Sequence, residues 1–135
     1  KAHTNPGRRK TDNPAGDDKP VFDTAYLNEV TGGDTEMINM LLQNYMETTP
    51  ALVTETITAL ESHEFDTARK SAHAIKGASM MAGALRLAEL CQAIQGSIEN
   101  AEFQTAVSCK AEVQDNFDAY AEEVKLYMHS LAEVA

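Results

Sequence analysis

Residues 71–84 read SAHAIKGASMMAGA, placing a histidine, a lysine three positions later and then a glycine inside a run of small and apolar residues. A glycine at position 77 costs a helix interior about 1 kcal/mol relative to alanine. The flanking periodicity nevertheless predicts a helix from about Asp66 to Ala82, ended by Gly83. At about 100° per residue, Phe65, Ala68, Ala72, Ile75, Ser79 and Ala82 form one stripe, which is the core face. His73 lies well over a quarter-turn from the centre of that stripe. It is expected to face solvent, with Arg69, Lys76, Gly77 and Met80 as its neighbours at three and four spacing.

Outward from this segment the helical spacing continues in both directions. Asp23 is placed to cap a short helix within VFDTAYLNEVTGG, with Phe22 and Leu27 at the two positions of a hydrophobic staple and Gly32 and Gly33 at its end. Asp34 caps a long amphipathic helix through Met37, Ile38, Leu41, Leu42, Tyr45, Leu52, Ile57 and Leu60, which Pro50 should kink or interrupt. A fourth helix is expected over about Ala84 to Glu99 and a fifth over about Phe103 to Leu131. Long helices joined by short connections favour antiparallel neighbours. The fold class is therefore all-α, an antiparallel up-and-down four-helix bundle with a short leading N-terminal helix.

The 135 residues, 43% hydrophobic, are enough for one domain with its own core. Residues 1–20 differ: they hold three of the four prolines, two glycines and almost nothing apolar, the composition of a flexible linker or tail. The domain itself is assigned to residues 21–135. A start at Lys1 is read as a piece cut from a longer polypeptide or a processed chain. Cys91 and Cys109 lack any CxxC or Cys/His clustering and read as small buried hydrophobes, with no metal site and weak support for a reducing, cytoplasmic setting. No run of about 18 apolar residues is available to cross a membrane, although a parent protein could be membrane-anchored.

Charge is uneven along the chain. The first 20 residues carry a net +2, and the remainder carries six basic against eighteen acidic residues, a net −12. A body so acidic repels phosphate backbones, which argues against a nucleic-acid partner. Of its six basic residues, Arg69, Lys70 and Lys76 lie within four positions of His73.

The segment AHAIKGASMMAGALRLAELCQAI resembles the histidine-containing phosphotransfer (HPt) domains of bacterial multistep phosphorelays. Their signature is His-x-x-Lys-Gly, a further glycine six residues on and a Leu-rich helix, and residues 21–53 are similar to the family's first two helices. The resemblance covers about residues 21–130. It implies that His73 is the phosphoacceptor, taking a phosphoryl group through Nε2 from a receiver-domain phospho-aspartate and passing it to an aspartate on another response regulator. It implies that Lys76 steadies the phosphoryl group. Gly77 leaves room for the receiver's loops, and Arg69, Lys70 and Met80 contribute to partner docking.

On this reading the domain is a phosphoryl carrier rather than an enzyme and binds no cofactor, with Mg2+ expected on the partner receiver. Its partners are receiver domains of response regulators and/or a hybrid histidine kinase. Three rivals are weighed. A kinase dimerisation helix pair typically has an acidic residue directly after its histidine, whereas Ala74 follows here. A metal- or haem-binding bundle could use Met37 or Met40 with His129 as axial ligands, and these methionines are more simply core. A non-transferring adaptor, docking a receiver to inhibit or scaffold it, shares the fold, but the intact His73, Lys76 and Gly77 argue against it.

Overall fold

A carboxylate launches each of the first two helices. In the computed structural model, which describes residues 19–134, Asp23 accepts a hydrogen bond from the Tyr26 amide and starts α1 (Thr24–Thr31). Asp34 accepts from the amides of Glu36 and Met37 and starts α2 (Thr35–Glu61). Each cap satisfies backbone donors that a helix start otherwise leaves unpaired. Four further helices follow: α3 (Phe65–Met81), α4 (Leu85–Glu99), α5 (Phe103–Ser108) and α6 (Lys110–Val134).

α2, α3, α4 and α6 form an all-helical, antiparallel up-and-down bundle, in which α3 packs on α2 and α4 while α6 packs on α2 and α4. α1 leads in against α2. The core contains Leu27, Ile38, Leu42, Leu60, Ile75, Leu87, Leu90, Ile94, Val113, Tyr120 and Val124, all essentially out of solvent. Cys91 and Cys109 are buried free thiols, as expected of small hydrophobes.

Three features refine or depart from the sequence expectations. Of the kink or interruption expected at Pro50, the interruption is absent, and α2 runs on through this residue. Pro50 is exposed, so water can serve the carbonyl whose helical donor the ring removes. Met37 and Met40 are not core: they are 49% and 66% exposed, because the buried stripe of α2 runs instead through Ile38, Leu42, Tyr45, Thr49, Val53, Thr56 and Leu60. The fifth predicted helix is divided at Cys109. The Thr105 carbonyl that the Cys109 amide would use is taken by the Ser108 hydroxyl at 2.7 Å and the Cys109 thiol at 3.4 Å. The amide turns to Ala106 instead, a side-chain competition that breaks the helical ladder.

The corner between α3 and α4 organises one end of the bundle. Gly83 has φ +74° and ends α3 in a left-handed turn in which the Ala84 amide reaches back to the Ser79 carbonyl. Two consecutive carbonyls here serve distant parts of the chain: Ala82 accepts from the Tyr120 hydroxyl at 2.7 Å, and Gly83 accepts from the Asp23 amide at 2.8 Å. Phe22 packs edge-on against Tyr120 and Tyr127 beside it.

Residues 1–18 of the linker expectation lie outside the described residues. Lys19 and Pro20 are tied to α4: the Arg86 guanidinium donates to the Lys19 carbonyl at 2.8 Å and the Arg86 amide to that of Pro20 at 3.2 Å. Among the described residues no helix is long and apolar enough to cross a membrane.

Candidate functional site

Helix α3 is held in rotation by two hydroxyl pairs on its inner face. Ser71 meets Thr56 at 2.7 Å and Ser79 meets Tyr45 at 2.6 Å, both buried and both between α3 and α2. Burial pushes the Tyr45 hydroxyl's pKa upward, which keeps it a neutral hydrogen-bonding group. Between these two pairs, Ala72 and Ile75 fill the core at zero exposure. With that face fixed inward, His73 is turned to solvent.

The expected core stripe is buried except for Phe65, which is only half-buried at the end of the bundle and stacks on Phe103 at a centroid distance of 4.4 Å. Ser71 joins the buried face.

His73 does not stand alone. Its Nδ1 lies 3.2 Å from Nε2 and 3.4 Å from Oε1 of Gln95 on α4, so the side-chain amide straddles this one ring nitrogen. The opposite ring nitrogen has no side-chain partner among the described residues. Gln95 is the residue that reading the sequence missed. A signal for it existed: in an antiparallel pair joined at Gly83–Ala84, reflecting His73 through the turn falls at about residue 95.

The other residues of the candidate site surround this pair unequally. Lys76 is half-buried one turn after His73, and Met80 is 45% exposed one turn further on. Both line a cleft of about 360 Å³ between α1, α3 and α4. Gly77 is exposed, and a Cβ built there meets nothing within 4 Å. Nothing inside the free domain requires a glycine at this position. Arg69 and Lys70 lie one turn before the histidine and both bind Asp66, at 2.8 and 3.2 Å. The hydrogen bonds from Arg69 and then Lys70 hold the Asp66 carboxyl below the usual carboxylate range, so much of their charge is answered within their own helix.

Among the described residues no group of three or more His, Cys, Asp or Glu side chains is arranged to hold a metal ion. The arrangement offers one exposed imidazole nitrogen, a cation one turn away and a strip of bare backbone. A nucleophile could be presented here to another macromolecule.

Comparison with known proteins bears on the family. The family model described as Hpt domain matches residues 40–132, a span that contains His73, Lys76, Gly77 and Gln95. The curated proteins and the solved structures compared with the chain gave no match.

Proposed function

The chain belongs to the Hpt domain family, and from that premise we propose that His73 is its phosphoacceptor, taking a phosphoryl group from a receiver-domain phospho-aspartate and delivering it to an aspartate of another response regulator. The observation that carries this reading is the His73–Gln95 contact on an otherwise exposed imidazole. The amide nitrogen is the nearer atom at 3.2 Å and the oxygen lies at 3.4 Å; on our reading the amide turns over so that the oxygen accepts from Nδ1–H, which leaves the lone pair on Nε2, pointing at the partner. Gln95 is thus a positioning residue. The Nε2–P bond forms as the aspartyl O–P bond breaks, and the regenerated carboxylate stays with the receiver.

Transfer of this kind depends on positioning and charge stabilisation more than on covalent chemistry by the protein. Lys76 supplies charge next to the transferred group, a contribution of about 0.2–1 kcal/mol for a pairing open to solvent. Gly77 leaves the backbone bare so that the receiver's loops can bring their aspartate in line. Mg2+ belongs to the receiver, and ATP is consumed elsewhere in the relay. The domain is a phosphoryl carrier, its partners are receivers in the cytoplasm, and its acidic surface makes it a poor ligand for nucleic acid.

The test is incubation with a panel of receivers phosphorylated by radiolabelled acetyl phosphate in Mg2+, comparing wild type with His73→Gln. Acid-labile, alkali-stable label on the wild type alone is the expected outcome. Receivers that bind the wild type yet never label it would favour a non-transferring adaptor.

A further inference from the structure

Seven lysines and arginines fall among the described residues, and four of them are ion-paired. Arg69 and Lys70 hold Asp66, Lys110 holds Glu61 at 3.6 Å, and Lys125 holds Glu122 at 3.4 Å. The three with no carboxylate partner among the described residues are Lys19, Lys76 and Arg86, and they converge on one place. Lys19 and Lys76 line the same cleft of about 360 Å³ beside His73, while Arg86 grips the Lys19 carbonyl and the Pro20 carbonyl. Tyr26, Met80, Leu85 and Ala88 form its apolar walls, Gln92 adds an amide, and Glu89 is its one carboxylate.

Three cations without a carboxylate partner among the described residues are conspicuous in a chain whose residues 21–135 carry a net −12. Neither Lys19 nor Tyr26 falls inside the segment matched by the family model, so this cleft joins helices α3 and α4 of the matched segment to residues that lead into it.

We propose that the cleft between α1, α3 and α4 is a second docking point for the receiver, in which Lys19 and Lys76 bind a carboxylate side chain that the receiver presents beside its phosphorylation site, with Arg86 holding Lys19 in place. This rests on the reading of His73 as the phosphoacceptor, because that reading puts the receiver over the mouth of the cleft. Two cations against the single carboxylate of Glu89 leave the cleft net positive, which favours an anionic occupant. The apolar walls of Tyr26, Met80 and Leu85 seat the aliphatic part of the same side chain or its neighbour and exclude water, which strengthens the charge contact. Lys19 is a specificity residue on this view: it selects receivers with an acid at that point and repels those with a base.

The probe is the receiver that labels His73 in the preceding experiment, used with the full chain. Lys19→Glu and Arg86→Ala should each raise the receiver concentration for half-maximal transfer by about two- to fivefold at low salt, with the rate at saturating receiver unchanged. The difference should vanish in about 1 M salt, where the Debye length is about 3 Å. Lys125→Glu makes the same charge change as Lys19→Glu at a distant ion pair and should have no effect. Equal half-maximal concentrations for Lys19→Glu and Lys125→Glu would overturn the proposal, as would a loss confined to the saturating rate. Calorimetric titration with the unphosphorylated receiver reads the cleft independently of transfer. Equal affinities of wild type and Lys19→Glu there would overturn the cleft, whereas a receiver that binds wild type but never labels it would overturn the carrier reading.

Discussion

Gly77 and Gly83 show how one residue type does opposite work six positions apart. At Gly77 the backbone is helical and a Cβ would meet open space, so the glycine costs stability without relieving any internal contact. At Gly83 the backbone is left-handed, and a Cβ would come within 2.9 Å of the Asp23 carbonyl oxygen and against the Phe22 ring. The two alanine variants should therefore move apart. Gly77→Ala is expected to stabilise the fold by about 1 kcal/mol while slowing phosphotransfer. Gly83→Ala should destabilise by about 1–3 kcal/mol through strain and displacement of the α1 cap. Urea unfolding beside a transfer assay checks both, and a Gly77→Ala protein that transfers at the wild-type rate would remove the close-approach role. His73 was legible at this scale because cations and a costly glycine sit within one turn of it. Gln95 was not, since its partner is 22 residues away and only the antiparallel turn brings them together.

Among the helices, α3 is the one whose rotation matters, and its two hydroxyl pairs to α2 set it. Ser79→Ala would leave the Tyr45 hydroxyl buried without that partner, at an expected cost of about 1–3 kcal/mol. Adding Tyr45→Phe removes the stranded group as well, so the double variant should recover much of the loss; a double variant as unstable as the sum of the singles would show that the pair is not coupled. Serine and threonine also explain why parts of the helix pattern were hard to read. Thr49 and Thr56 are fully buried in α2, while Met37 and Met40 stand in solvent, so the apolar letters of that helix trace its inner face only in part. The break at Cys109 likewise depends on which side chain wins the Thr105 carbonyl, a competition that helical spacing does not register. Helix starts were clearer, since Asp23 and Asp34 advertise themselves as caps.

For the whole molecule, burial of neutral ionisable groups predicts a one-sided response to pH. Burial raises the Cys91 thiol from an ordinary 9.0 to about 12, with a smaller push from Cys109, and it raises the hydroxyls of Tyr45 and Tyr120 as well. The unfolded chain loses the thiol proton near 9.0, whereas the folded chain keeps it until about 12. The unfolded state thus binds fewer protons across that window, and stability is retained below pH 9 and eroded as pH rises toward 12, by at most about 1.4 kcal/mol per pH unit for each group. Urea midpoints between pH 7 and 10.5 should stay level and then fall, and Cys91→Ala should flatten part of the fall even though it lowers the plateau. A midpoint constant to pH 10.5 would contradict the burial of these groups. The four-helix plan was readable from the sequence because its connections are short. The anchoring of Lys19 and Pro20 was not, because a composition of proline, glycine and charge gives no sign of an arginine 67 residues later that holds the Lys19 carbonyl.

The paired carbonyls of Ala82 and Gly83 carry a consequence for the order in which the molecule assembles. One waits for a hydroxyl 38 residues further along the chain and the other for an amide 60 residues earlier, so this corner closes two long loops on adjacent residues. Closing long loops costs entropy before any contact repays it. The hairpin of α3 and α4, which carries His73 and Gln95, needs only local contacts and belongs to the early part of folding. The corner that locks α1 and α6 onto it belongs to the last step, and its opening is the first step of the route back.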